Sequence, residues 1–165
     1  MSCGGTGKWS RAGVPHKGWE CIDVEDLESD RATCEMCEVA EMRFVHTMKH
    51  PGYGTLRVGC ICAGNMEGDY VGAVAREAAV KGRRGWLDRR WRVSAKGNEF
   101  LNTRDGFNVV VYPLRDGGWA ARILDRRKDA VIGTIGKKFR CATSDDAKVA
   151  CLQVIEGVKA EQGTR

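Results

Sequence analysis

Cys34-Glu35-Met36-Cys37 and Cys60-Ile61-Cys62 set two close pairs of thiols on either side of a 22-residue stretch. Deprotonated cysteines in such pairs are ligands for tetrahedral zinc, and four of them saturate the ion with no position left for water. The chemistry expected of Cys34, Cys37, Cys60 and Cys62 is therefore one structural zinc whose binding energy goes into folding. Free cysteines also serve as small buried hydrophobes, which is the competing reading. A redox role for Cys34 and Cys37 needs a thioredoxin-like alternation of strand and helix that the flanking sequence lacks. Cys3, Cys21, Cys141 and Cys151 are scattered and call for no special role.

A second constellation is cationic. Arg83, Arg84, Arg89, Arg90 and Arg92 interleave with Trp86 and Trp91. Guanidinium groups bind phosphates, and neighbouring indoles can stack on unpaired bases, so this segment is the candidate nucleic-acid contact. A solvated helix face with both tryptophans buried is the alternative. Charge is unevenly spread: from Glu20 to Glu41 nine acids stand against Arg31 alone, and from Arg76 to Arg104 nine bases stand against Glu77, Asp88 and Glu99. Displayed outwards, the acidic stretch would suit a protein-interaction adaptor or an inhibitor that imitates the charge of DNA. Gly4 to Lys8 lacks the first glycine and the hydroxyl residue of a phosphate loop.

These residues need elements to hold them. Residues 1–19, rich in Gly, Lys and Trp, read as an extended arm pinned by Trp9 and Trp19. Met42, Phe44, His46 and Met48 alternate with Arg43, Val45, Thr47 and Lys49, Pro51-Gly52-Tyr53-Gly54 breaks the chain, and Leu56, Val58 and Cys60 alternate again: a hairpin that ends on the second cysteine pair. From about Met66 the spacing of Tyr70, Val71, Val74 and Ala78 turns helical, with Gly82 and Gly85 interrupting it before Trp86, Leu87 and Trp91. Strands are expected at 99–103, 107–114 and 118–124, punctuated by Asp105-Gly106 and Asp116-Gly117, with a further one at 137–141 after a charged loop. Thr143 with Asp146 forms a capping-box-like start for a last helix, whose apolar face carries Ala147, Ala150, Cys151, Val154, Ile155 and Val158.

The sequence of knuckle, hairpin and helix over 34–80 resembles the treble-clef class of zinc fingers. That class presents a second C-x2-C, whereas Cys60-Ile61-Cys62 is one residue tighter, so His46 or His50 is an alternative fourth ligand. Treble clefs also scaffold His-Asn-His nucleases; the resemblance implies a metal-dependent nuclease centred on His46 and His50 with Asn65 following, a third functional reading. Gly13 to Trp19, the first knuckle, Phe44-Val45-His46, Val58 to Ala63 and Trp91 to Asn98 together resemble an uncharacterised family of bacterial proteins, which implies no activity. The order helix, three strands, helix in the second half resembles the double-stranded RNA-binding domain, but the last helix begins with acids where that family has phosphate-gripping bases.

With 165 residues, 42% apolar content and 21 glycines, the chain suits one compact body or two very small ones. No apolar run serves as a secretion signal or spans a bilayer, so a cytoplasmic protein is expected. The expectation is an α+β protein: an arm and acidic segment over 1–32, a zinc-binding hairpin and helix over 33–92, and an antiparallel sheet with a C-terminal helix over 93–165. Its expected function is non-enzymatic binding of nucleic acid of unspecified type, with no catalytic residue assigned and a protein partner as the runner-up.

Overall fold

The computed structural model describes residues 5–136 and 140–163. It is a mixed α+β structure with antiparallel sheets, and the chain divides into two compact units, Met1–Gly82 and Arg83–Arg165. Each has its own cluster of buried side chains. Among the described residues no helix is long and apolar enough to cross a membrane.

In the first unit, strands β1 (Glu20–Asp26), β4 (Phe44–His50) and β5 (Gly54–Val58) form a sheet in the order β1-β4-β5. The expected hairpin is present, with His46 opposite Val58 and Met48 opposite Leu56. The acidic segment supplies β1, whose Val24 lies opposite His46. Several of its acids are met within the unit: Asp26 takes two bonds from the Arg43 guanidinium, Glu25 pairs with Arg57, and Glu38 with Lys8 and Arg11. Two short strands, β2 (Ala32–Thr33) and β3 (Glu41–Met42), pair around the first cysteine turn. The N-terminal arm is not simply extended. Gly7–Ser10 forms a 3-10 turn on that loop, with the Lys8 amide donating to the Met36 carbonyl at 2.8 Å, and Trp19 is buried.

Helix α1 (Cys60–Glu67) follows β5, and α2 (Tyr70–Leu87) begins in the first unit and ends in the second. Tyr70, Val71 and Val74, which read as an apolar stripe, are exposed. Ala73 with half-buried Arg76 and Glu77 turns inward instead, because Glu67 and His46 offer those charged groups partners. Gly82 and Gly85 do not break α2.

The second unit is a five-stranded meander of β6 (Arg92–Val93), β7 (Glu99–Asn102), β8 (Phe107–Pro113), β9 (Trp119–Asp125) and β10 (Ala130–Ile135), in the order β10-β9-β8-β7-β6. Helix α3 (Ser144–Gly163) covers β8, β9 and β10. Alternation places Phe107, Val109, Val111, Ala121 and Ile123 against Ala147, Cys151 and Ile155, as the period-two and helical patterns require. The cap at Thr143 forms as expected: its hydroxyl accepts from the Asp146 amide at 3.1 Å and Asp146 Oδ2 accepts from the Thr143 amide at 3.0 Å. The stretch read as a charged loop contains β10, whose Gly133 lets the strand approach α3, since a Cβ there would lie 3.1 Å from Val154. Of the strand expected at 137–141, residues 137–139 lie outside the described residues, and Cys141 bridges to Trp119.

Candidate metal centre and basic cleft

Cys34 and Cys37 occupy the turn between β2 and β3. The turn is closed by the Glu38 amide donating to the Cys34 carbonyl at 2.8 Å and tied to β5 by the Glu35 amide donating to Arg57. Cys62 projects from the first turn of α1. The three sulfurs lie within 4.8 Å of one another, and all three residues are buried. A hydrogen bond from the Cys62 thiol holds the Cys34 thiol well below its ordinary range, and the Cys37, Gly59 and Met36 amides add to this against the cost of burial. Cys62, as the donor, is pushed up by that bond and by burial. Three buried thiols in mutual reach, one of them favoured as thiolate, form a group that could hold a cation. These residues are able to bind a metal ion.

Cys60, expected as the fourth ligand, is not in this group. It gathers with His46 and Glu77, again with ligand atoms within 4.8 Å of one another. The cause is helical geometry: successive residues turn by about 100°, so positions two apart in α1 point about 200° from each other. A C-x-C pair on a helix cannot aim both sulfurs at one ion. Burial pushes the Cys60 thiol up to about 11, with the Glu77 charge adding to it. Burial also pushes His46 down, against its contact with Glu77. Reading the second pair as helical from the start, with Glu77 the one acid of α2, was the signal available for this second group.

The other candidate histidine, His50, positions its own turn. His50 Nδ1 accepts from the Gly52 amide at 3.0 Å, and its ring lies 5.2 Å from that of Trp19. Asn65 is exposed, its backbone carbonyl accepting from Lys17 at 2.6 Å. The structure does not gather His46, His50 and Asn65 into one site.

In the second unit Arg89, Arg90, Arg92 and Arg104, together with Phe100, Leu101 and Asp105, line a cleft of about 740 Å³. Arg83 and Arg84 are not part of its wall, and Arg84 pairs with Asp88 at 2.9 Å. Trp86, expected to stack on bases, is 3% exposed and donates its indole N–H to the Lys148 carbonyl at 2.7 Å, so it is core. Trp91 is half-buried: its ring meets Trp86 edge-on at 5.5 Å, its N–H donates to the Trp86 carbonyl, and Lys148 Nζ sits 5.2 Å from its centroid. The Arg89 guanidinium lies over the Trp86 ring at 4.9 Å, which fixes it at the rim of the cleft.

The aromatic that sequence reasoning missed is Phe100. Because Leu101 faces the core, the pleat turns Phe100 to the other face of the sheet. Register aligns Arg92, Phe100, Val110 and Arg122 in one row across β6, β7, β8 and β9. The row crosses the face opposite α3 and carries an arginine at each end. Its sequence signal was the alternation in Glu99–Asn102, a strand too short to assign its faces without its partners. Comparison with protein-family models, with curated proteins and with solved structures finds no match for this chain.

Proposed function

We propose that this is a cytoplasmic, non-enzymatic module that binds single-stranded nucleic acid through its second unit and is held in shape by one structural zinc in its first. The row Arg92–Phe100–Val110–Arg122 beside the arginine cleft carries this reading. Arg89, Arg90, Arg92 and Arg104 supply phosphate contacts, and Phe100 supplies a flat face on which a base of any identity can stack. Neither group requires a particular base sequence.

Zinc is the metal best matched to Cys34, Cys37 and Cys62, since borderline-soft ions prefer buried thiolates and tetrahedral sites. Zinc bound there would tie the β2–β3 turn to α1 and so anchor the hairpin, the arrangement of a treble clef. The acidic-face reading is weakened by the pairing of Glu25, Asp26 and Glu38 with bases of their own unit.

Fluorescence anisotropy of the zinc-loaded protein against single- and double-stranded DNA and RNA tests the binding. About four phosphate contacts on a single strand give a log–log salt slope near −3, or about a fiftyfold loss of affinity between about 50 and 200 mM salt. Arg89→Glu with Arg90→Glu removes binding to every probe, and Phe100→Ala weakens single strands by roughly tenfold, one stacked base. No binding at low salt overturns the proposal.

A further inference from the structure

We infer that His46, Cys60 and Glu77 form a second divalent transition-metal site, distinct from the three-cysteine centre and with a coordination position open to water. The inference is independent of nucleic-acid binding.

Three unlike ligand atoms converge from three elements: the imidazole from the middle of β4, the thiol from the first residue of α1 and the carboxylate from α2. His46 is fully buried, and its Nε2 has no hydrogen-bond partner. Nε2 points to Glu77 Oε2 at 3.6 Å, too long for a hydrogen bond but close to the edge of about 3.4 Å that nitrogen and oxygen ligands span on a tetrahedral zinc. A buried imidazole nitrogen aimed at a carboxylate and a thiol, and bonded to neither, is satisfied by a cation between them.

Charge and surroundings agree. Neutral imidazole, thiolate and carboxylate sum to −2, which balances a divalent ion. The basic side chain whose charge bears on His46 and Cys60, Arg76, is engaged by Glu67. The ring's other nitrogen, Nδ1, faces Cys21 Sγ at 3.9 Å, which leaves Nε2 for the metal. A mixed nitrogen, sulfur and oxygen set selects zinc or cobalt over magnesium or calcium. Cys60 and Glu77 line a small cavity of about 260 Å³ that Cys34 and Cys62 also border, and Glu77 keeps 31% of its side-chain exposure. Three protein ligands with solvent at the fourth position is the pattern of zinc sites that exchange or activate a ligand.

The test is metal content of the full chain by elemental analysis, together with a Co²⁺ titration followed by absorption. Wild type is expected to take up two equivalents per chain. Cys60→Ala and, separately, Glu77→Gln should each reduce uptake to one while the intense thiolate-to-cobalt charge-transfer band of the three-cysteine centre stays. Glu77 is partly exposed, so its variant keeps the test alive should Cys60→Ala fail to fold. One equivalent in wild type, with absorption indifferent to both substitutions, overturns the inference. So does a Cys60→Ala variant that loses the intensity of one thiolate without losing an equivalent of metal, because Cys60 would then belong to the first centre.

Discussion

Cys60 and Cys62, two residues apart on α1, face different groups: Cys62 joins Cys34 and Cys37, and Cys60 joins His46 and Glu77. The same dipeptide spacing that would close a single four-cysteine site on a loop divides its sulfurs when a helix begins at Cys60.

The two cysteines should therefore respond differently to replacement. Structural zinc sites contribute apparent free energies of about 10–16 kcal/mol, comparable with or larger than the whole stability of a domain. Cys62→Ser is expected to lose the thiolate-rich metal and with it the amide-exchange protection of β4, while β8 in the second unit stays protected. Cys60→Ser should leave β4 protected. Equal loss from both substitutions would contradict the division.

Gly7 sits where a side chain cannot. A Cβ at that position would lie 2.6 Å from the carbonyl carbon and oxygen of Cys37, and its φ of 61° is in the left-handed region. Gly7→Ala is expected to cost about 1–3 kcal/mol through forced overpacking. Because the displaced backbone belongs to Cys37, one of the proposed zinc ligands, zinc affinity measured against a competing chelator should fall along with the melting temperature.

Gly82 and Gly85 lie within α2, are exposed, and have open space where a Cβ would stand. Replacing either with alanine should stabilise the chain by about 0.5–1 kcal/mol, because alanine loses less backbone entropy on forming a helix. Denaturant midpoints of the single and double variants check this; a decrease in either would show that the helix needs these glycines.

Asp105 is held near pKa 2: burial pushes it up, but the Lys159 hydrogen bond and that of Thr103 outweigh burial. A carboxyl depressed in the folded state stabilises above its unfolded pKa of about 3.8, and the contribution is lost as pH falls through about 2. With the Asp105 and Lys159 side chains 40% and 50% exposed, screening keeps the effect under about 1 kcal/mol. Urea midpoints from pH 5 to 2 should fall less steeply in Asp105→Asn than in wild type.

Much of the fold was legible because its signals are local. Alternation in 44–50, 54–58 and 107–113 marks half-buried strands whatever lies beside them, and the Thr143–Asp146 cap involves atoms three residues apart. Strand β10 was obscured because its charged approach and Gly133 weaken the apolar pattern, and only the nearness of Val154 explains the glycine. The acidic β1 was hidden for a related reason: it is an edge strand with few buried positions, joined to β4 by backbone bonds to which side-chain identity contributes little.

The sequence by itself determined which residue types were available for chemistry, the cysteine pairs and the arginine-rich segment, and the α+β class that carries them. Tertiary structure alone decided how those residues were grouped. Trp86 became core because α3 presents the Lys148 carbonyl to its indole, and Phe100 took the outer face because Leu101 was drawn to the inner one. Periodicity states that an element has two faces. Which face meets solvent, a metal or the core depends on elements distant in the chain, and the direction of a side chain is set only when they pack.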